Sequence, residues 1–195
     1  MEKNKILCVI DAQNDFIYGS LRNEEAINAV PNIIEKINNF EGSQIYVTMD
    51  THKHDYLKTQ EGLALPVEHC IKATPGWCIE SEIKKALDSA EERNITVTYI
   101  EKPTFGSFDL IEEISNNNPG ERGKIFHLYI EIVGYCTDIC VISNALLLKT
   151  RYYGGTISTV ADITVDASCC AGVTPESHKA ALTVMKSCQI NVINE

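Results

Sequence analysis

The sequence predicts an α/β fold with a mostly parallel, six-stranded sheet that is doubly wound, so that helices cover both of its faces. Short apolar runs without polar alternation recur along the 195 residues, as expected of strands buried on both sides. Stretches with helical spacing separate these runs, an alternation that favours right-handed crossovers between parallel strands. The length suits one domain, which we place over residues 1–195.

The composition limits the classes of partner. The formal net charge is −10 and the basic residues are scattered, so we expect no nucleic acid as a partner. No apolar segment approaches the ~18 residues of a membrane span, and no signal peptide is visible, which predicts a cytoplasmic protein without membrane contact. The expected partners are a small-molecule substrate and further copies of the chain, as a homo-oligomer such as a dimer or tetramer.

The eight cysteines lie mostly inside apolar strand or helix patterns. In a chain without an export signal, such placement indicates reduced thiols rather than disulfides. We therefore expect no disulfide framework.

Apolar runs and helical spacing place the elements in order. The predicted strands are Lys5–Ile10, Gln44–Met49, Ile95–Ile100, Leu128–Val133, Thr156–Ala161 and Gln189–Ile193. The predicted helices are Glu24–Phe40, with Pro31 beginning a new first turn, then about Ile79–Glu91, Ser107–Ser115, Cys140 to about Tyr153, and one that begins at Pro175 after a Thr174 cap. Residues 13–19 are predicted to form a loop. The segment Tyr56–Cys78 has no sustained period, and such a long irregular segment usually carries function.

Ionisable residues follow three of the predicted strands. Asp11 follows the first strand, Asp50 the second, and Lys102 comes just past the third. In open parallel sheets the carboxyl ends of the strands border the ligand crevice. These side chains are therefore candidates for a functional site.

Cys140 lies where the fourth strand gives way to a helix. Free backbone N–H groups and the helix dipole at such a point are expected to lower the pKa of a thiol and to stabilise an oxyanion. With Asp11 as a base and Lys102 as a charge stabiliser, Cys140 has the partners that a thiol amidohydrolase needs. The alternative for a lone cysteine is a buried structural role.

A second group of residues has the composition of a metal site. Asp50 and His52 alternate along a strand end, so their side chains share a face. One histidine from the following segment, His69 or His54, would complete a carboxylate and two-imidazole set with open positions for water. We expect a divalent metal, zinc first with manganese or iron as alternatives, and no organic cofactor.

Several segments together resemble the isochorismatase-like cysteine hydrolases, and within them the nicotinamidase-type amidases. They are VIDAQNDF, DTH, LPVEHC, EKPTFGS, VGYCTDICV and CCAGVTPESHKAAL. The resemblance implies a three-layer sandwich with the catalytic triad Asp11, Lys102 and Cys140. It also implies a cis peptide between Tyr135 and Cys136, and an oxyanion hole formed by the backbone N–H groups of Cys136 and Cys140. His69 matches the family's third metal ligand.

The expected reaction is hydrolysis of a small amide through a thioester on Cys140, with nicotinamide, giving nicotinate and ammonia, as the first substrate. Leu65 departs from the family, because nicotinamidases usually carry a tryptophan there that helps hold the pyridine ring. A ureido or other non-pyridine amide is therefore the alternative substrate. Candidate pocket residues are Phe16, Leu65, Phe108 and Tyr135, with Trp77 and Phe105 as further aromatic candidates.

Two other functions are considered. Isochorismatase-type cleavage of a vinyl ether is disfavoured by Cys140, because family members with that chemistry lack the cysteine nucleophile. A thiol redox or binding protein could use Cys136 with Cys140, or the vicinal Cys169 and Cys170. Neither pair has the usual dithiol spacing of two intervening residues.

Overall fold

A computed structural model describes residues 2–120, 125–153 and 159–195, and contains a six-stranded parallel sheet in the order β3-β2-β1-β4-β5-β6. The strands are β1 (Glu2–Ile10), β2 (Gly42–Asp50), β3 (Thr96–Lys102), β4 (Phe126–Tyr135), β5 (Thr159–Ala171) and β6 (Asn191–Ile193). This arrangement confirms the predicted fold class. Residues 156–158 of the predicted fifth strand lie outside the described residues.

Helices pack on both faces of the sheet. They are α1 (Asn14–Ile17), α2 (Glu24–Asn38), α3 (Gln60–Ala64), α4 (Ser81–Glu92), α5 (Phe108–Asn117), α6 (Ile142–Arg151) and α7 (Pro175–Ser187). The apolar faces of α2 and α4 share one core with the sheet, and those of α5, α6 and α7 share the other. Within the described ranges, no helix is both long enough and apolar enough to cross a bilayer.

Three expectations about the elements were wrong. Helix α2 does not restart at Pro31 but continues through it, because buried side chains before and after the proline, such as Ala29 and Ile33, anchor the helix to the core. Strand β5 extends ten residues past Ala161, to Ala171. Residues 14–17 and much of 56–64 are short helical turns rather than irregular chain, since such single turns are too short to show a period.

The centre of the sheet is where the chain changes direction of winding. Strand β1 lies between β2 and β4, with Ile10 opposite both Thr48 and Gly134. Gly134 has a φ of +120°, and a Cβ at this position would collide with the carbonyl oxygen of Ile10. Only glycine therefore allows β4 to approach β1 so closely at the point where ligands bind in folds of this class.

All eight cysteines are free thiols, and none of them is paired in a disulfide. Five of them, Cys8, Cys70, Cys140, Cys169 and Cys170, are buried. The fold is therefore held by its packing and hydrogen bonds, as the sequence predicts.

An ion-pair network joins helix α2 to the sheet. The ammonium of Lys36 lies 2.7 Å from a carboxylate oxygen of Glu131 and 2.7 Å from one of Asp166. The Asp166 side chain is only 2% exposed and also accepts hydrogen bonds from Ser168 and Asn194. Burial acts to raise the pKa of Asp166, but these partners outweigh it and hold the pKa below its usual value.

We predict that Lys36→Met lowers the free energy of unfolding by about 1–3 kcal/mol, because the buried Asp166 carboxylate loses its counter-charge. The depressed pKa of Asp166 means that its contribution is present above the unfolded value of about 3.9 and is lost as the pH falls through the folded value. The difference between the two proteins should therefore shrink below about pH 4. Urea denaturation of both proteins over a pH series measures this difference in the free energy of unfolding.

The matched control is Lys85→Met. Lys85 pairs with Glu82 on an exposed face of α4, with side-chain exposures of 70% and 56%. Its loss should change the free energy of unfolding by no more than about 0.5 kcal/mol. Equal effects of the two substitutions at neutral pH would show that the Lys36 network does not stabilise the fold.

Candidate active site

Asp11 is placed by the end of β1 and by its neighbour β2. Its backbone is left-handed, with a φ of 49°, and its N–H donates to the carbonyl of Thr48 at 3.1 Å. The Thr48 hydroxyl donates to Oδ1 of Asp11 at 2.7 Å. This hydrogen bond leaves Oδ2 as the oxygen that faces the remaining partners, and the side chain is fully buried.

Lys102 brings Asp11 and Cys140 together. Its Nζ lies 2.6 Å from Oδ2 of Asp11 and 3.4 Å from Sγ of Cys140, and it donates to the carbonyl of Thr104 at 3.0 Å. The contact with Asp11 is a short ion pair, and no other described group donates a hydrogen bond to Oδ2. The structure thus assembles the three side chains of the expected triad around one buried ammonium.

The ionisation of the triad follows from its burial. Burial, followed by the Asp11 carboxylate, raises the pKa of the Cys140 thiol well above its usual value. The thiol therefore does not have the lowered pKa that its place at a helix start predicts, because burial outweighs the charge of Lys102. Burial likewise raises the pKa of Asp11, against the influence of Lys102.

Lys102 itself stays charged. Burial disfavours the ammonium, but the carboxylates of Asp11 and Asp50 favour it, and the pKa of Lys102 lies above its usual value. The resting site therefore combines a neutral thiol with an ion pair.

Cys140 lies in a tight turn between β4 and α6. The peptide bond between Tyr135 and Cys136 is cis, and residues Thr137–Val141 form one π-helical turn before α6 begins at Ile142. The carbonyl of Cys136 accepts hydrogen bonds from the N–H groups of Ile139 and Val141. The nucleophile candidate is thus held in a closed backbone ring that leads directly into α6.

The predicted metal ligands form one group beside the triad. Asp50, His52 and His69 are buried, and their ligand atoms all lie within 4.8 Å of one another. Oδ2 of Asp50 is 3.0 Å from Nε2 of His52 and 3.4 Å from Nε2 of His69. His54, the alternative ligand, is exposed and lies outside this group.

The hydrogen bonds around this group fit a metal ion. Nδ1 of His69 lies 2.8 Å from the carbonyl of Val67, which can only accept, so Nδ1 carries a proton and Nε2 is the nitrogen that a metal ion would bind. Nε2 of His52 is buried and has no hydrogen-bond partner. Burial acts to raise the pKa of Asp50, but His52 and His69 outweigh it and hold this carboxyl ionised. Burial acts to lower the pKa of His69, but Asp50 and the carbonyl of Val67 outweigh it and raise this pKa, so a metal ion would compete with a proton for Nε2.

Sequence reasoning missed two residues at this site. Oε1 of Glu61 lies 3.8 Å from Nε2 of His52 and 3.7 Å from Nε2 of His69. Gln13 is buried, and its amide both donates to the carbonyl of Asp50 and accepts from its N–H. Gln13 belongs to the quoted VIDAQNDF segment and could have been noticed there, whereas nothing in the local sequence distinguishes Glu61 from a surface residue.

Two of the expected pocket residues lie next to the metal group. The ring of Phe16 packs edge-on against that of His69, with centroids 5.9 Å apart. Leu65 is 39% exposed, and its carbonyl accepts a hydrogen bond from the hydroxyl of Tyr56. The Tyr56 ring in turn contacts the rings of His52 and His69. Phe16 therefore borders the site, and Leu65 is joined to it through the ring of Tyr56.

The other two do not. Tyr135 is fully buried and its hydroxyl donates to the carbonyl of Ala26, so we correct its assignment from pocket to core. Phe108 is 72% exposed at the start of α5, where no described contact joins it to the site. Of the further aromatic candidates, Phe105 is exposed, while Trp77 is half-buried and its indole N–H donates to Thr51.

Comparison with solved structures finds the same fold in several amidohydrolases. A nicotinamidase/pyrazinamidase from Bacillus subtilis is 24% identical with a TM-score of 0.80, and the match covers 100% of both chains. A pyrazinamidase from Pyrococcus horikoshii, solved in complex with zinc, is 22% identical with a TM-score of 0.73 over 98% of this chain and 99% of that one. A yeast nicotinamidase bound to the inhibitor nicotinaldehyde is 18% identical with a TM-score of 0.75, covering 98% and 100%.

Comparison with curated protein sequences finds no match. The profile of the Isochorismatase domain, in contrast, matches residues 5–195. Strands β2 to β6, all the helices and every residue of the triad and the metal group fall within that range. The chain belongs to the isochorismatase family.

Proposed function

We propose that this isochorismatase-family hydrolase is a cysteine amidase that cleaves a small-molecule amide through a thioester on Cys140. The observation that carries the proposal is the buried contact of Lys102 with both Asp11 and Cys140, at 2.6 Å and 3.4 Å. A cysteine with a purely structural role does not need a neighbouring ion pair. Burying an ion pair beside such a cysteine would cost free energy without any functional gain.

The reaction begins with a proton transfer. Cys140 is neutral at rest, so its proton passes to Asp11 as Sγ attacks the carbonyl carbon of the amide. The raised pKa of Asp11 makes it a stronger base than an exposed aspartate. Lys102 stabilises the thiolate as it forms. Asp11 then returns the proton to the leaving nitrogen, the C–N bond breaks, and an acyl thioester and ammonia or an amine result.

Water completes the cycle. Asp11 takes a proton from the attacking water, the thioester C–S bond breaks, and the proton returns to Cys140 as the acid leaves. We assign the oxyanion hole to the backbone N–H groups of Cys136 and Cys140, on the turn held by the Cys136 carbonyl. Such backbone donors are fixed before the substrate arrives and cost no reorganisation during the reaction.

Asp50, His52 and His69 would hold a divalent metal, and Glu61 is close enough to take part. A carboxylate and two imidazoles with open positions suit zinc, and also manganese or iron. When bound, the ion would act as a Lewis acid beside the triad. The pyrazinamidase complexed with zinc has this fold, which supports zinc as the first candidate.

Nicotinamide is the first candidate substrate, because nicotinamidases recur among the solved structures with this fold. Leu65 favours the alternative, a ureido or other non-pyridine amide, since it stands at the sequence position where nicotinamidases usually carry a tryptophan. Of the aromatic pocket candidates, Phe16 contacts the metal group through the ring of His69, and it would line the pocket for either substrate.

The test of the substrate is ammonia release from a panel of nicotinamide, pyrazinamide, ureido acids and short aliphatic amides. We expect hydrolysis of at least one of them, with a covalent adduct on Cys140 seen by mass spectrometry of enzyme quenched during turnover. Turnover of none of these amides, or an active Cys140→Ala variant, would refute the proposed chemistry. Cys188→Ala, at an exposed thiol, is the matched control and should keep full activity.

Asp11→Asn should lower kcat by about 10²–10⁴-fold, because the carboxamide cannot take the thiol proton. The substitution preserves size but removes the counter-charge of the buried Lys102, so thermal unfolding must show that the variant is folded at the assay temperature. Asp162→Asn, at a side chain that is 64% exposed, is the control and should leave kcat unchanged. A kcat near the wild-type value in Asp11→Asn would show that a group other than Asp11 accepts the thiol proton.

For the metal group, we expect elemental analysis to find about one divalent ion per chain in the purified protein. His69→Ala should lose most of it, and His54→Ala, at the exposed neighbour, should keep it. Glu61→Gln should bind the ion more weakly, because it removes a negative charge within 4 Å of both imidazoles. Equal metal content in His69→Ala and His54→Ala would remove His69 from the site.

A further inference from the structure

The segment that follows β5 contacts the turn that carries Cys140. The hydroxyl of Thr137, which is fully buried, lies 2.8 Å from Nδ1 of His178 on α7. The carboxylate of the next residue, Asp138, accepts the backbone N–H of Val173 with both oxygens, at 3.0 Å and 3.3 Å. Two consecutive side chains of the turn are thus held from outside by residues 173–178.

His178 is itself held rigidly. It lies in the first turn of α7, where Thr174 and Ser177 form a capping box and Pro175 occupies the start of the helix. A Cβ on Gly172 would lie within 2.9 Å of the Cα and Cβ of His178, so the glycine lets the preceding chain pack directly against this residue. A rigid support of this kind can fix the position of whatever it contacts.

The C-terminal half of the turn has its own supports, because Cys140 and Val141 pack in the core and the amide of Asn144 donates to the carbonyl of Cys140. Inside the turn, the carbonyl of Cys136 accepts the N–H groups of Ile139 and Val141. Thr137 and Asp138 attach the N-terminal half of the turn to residues 173–178, and they lie between the two residues whose N–H groups we assign to the oxyanion hole.

We propose that His178 is a positioning residue, which holds the turn of residues 136–141 in register for catalysis through its hydrogen bond to Thr137, assisted by the bond from Val173 to Asp138. His178 has no described contact with Cys140, Lys102 or Asp11, so it acts through the turn rather than on the substrate. Burial lowers its pKa and favours a neutral ring, which can accept from the Thr137 hydroxyl. The proposal rests on the amidase function above.

The hydrogen bond at Nδ1 of His178 can be tested with variants that keep or remove a polar atom at that position. Asparagine places a polar atom at the position of Nδ1, so His178→Asn keeps a partner for Thr137, whereas His178→Leu removes it. Thr137→Val removes the hydroxyl at nearly constant volume. His127→Leu, at a partly exposed histidine on β4, is the matched control.

The first measurement is backbone hydrogen exchange of peptides that contain residues 137–141. Loss of one hydrogen bond should speed their exchange roughly five-fold in His178→Leu and in Thr137→Val, with no change in His178→Asn or His127→Leu. The second is steady-state kinetics with the fastest amide of the panel. Because the misplaced donors act on the transition state, kcat should fall on the order of 10- to 100-fold with little change in KM.

His178→Asn should restore most of kcat, and the double variant of Thr137→Val with His178→Leu should be no worse than either single variant, because both remove the same bond. Unchanged exchange in Thr137→Val and His178→Leu would overturn the proposal whatever the kinetics. Faster exchange with unchanged kcat would overturn the positioning role. If the wild type hydrolyses no amide, the proposed function fails, and the exchange measurement still decides whether the bond holds the turn.

Discussion

The buried ion pair between Lys102 and Asp11 is the interaction on which the site depends. An ammonium and a carboxylate in this position lose nearly all contact with water, a cost that their attraction repays only with further partners. Those partners are Thr48, which donates to Asp11, and the carbonyl of Thr104, which accepts from Lys102. The same burial keeps Cys140 neutral and lets the Lys102 charge act on its sulfur at high strength.

Charge balance connects the triad to the metal group. Nζ of Lys102 lies 3.8 Å from Oδ1 of Asp50, so the two groups share one electrostatic environment. Three carboxylates, Asp11, Asp50 and Glu61, face one ammonium, which leaves two negative charges when the histidines are neutral. A divalent cation would cancel that excess. The charge excess supports the proposed metal independently of the ligand spacing.

Sequence patterns predict the parts of the site that follow from topology. In a parallel sheet the carboxyl ends of neighbouring strands meet at one edge, so Asp11, Asp50 and Lys102 could be grouped before any coordinates were known. The order β3-β2-β1-β4 brings them to the turn that bears Cys140. Glu61 could not be predicted, because its position depends on how the short helix α3 folds over β2. The core role of Tyr135 depends on a contact with Ala26 over a hundred residues away.

The ionisation of Cys140 could not be read from the sequence either, and its correction changes how the proposed chemistry proceeds. A helix-start cysteine predicts a thiolate, yet the pKa of a buried thiol is set mainly by how much water it has lost, which is a property of the packed fold. If Cys140 were a thiolate at rest, it would be exposed to oxidation before any substrate was bound. A neutral thiol next to an ionised Asp11 must instead transfer its proton during the attack, so the position of the amide carbon relative to Sγ decides when the nucleophile forms. The precision of the turn around Cys140 therefore matters more in this site than the strength of the helix dipole.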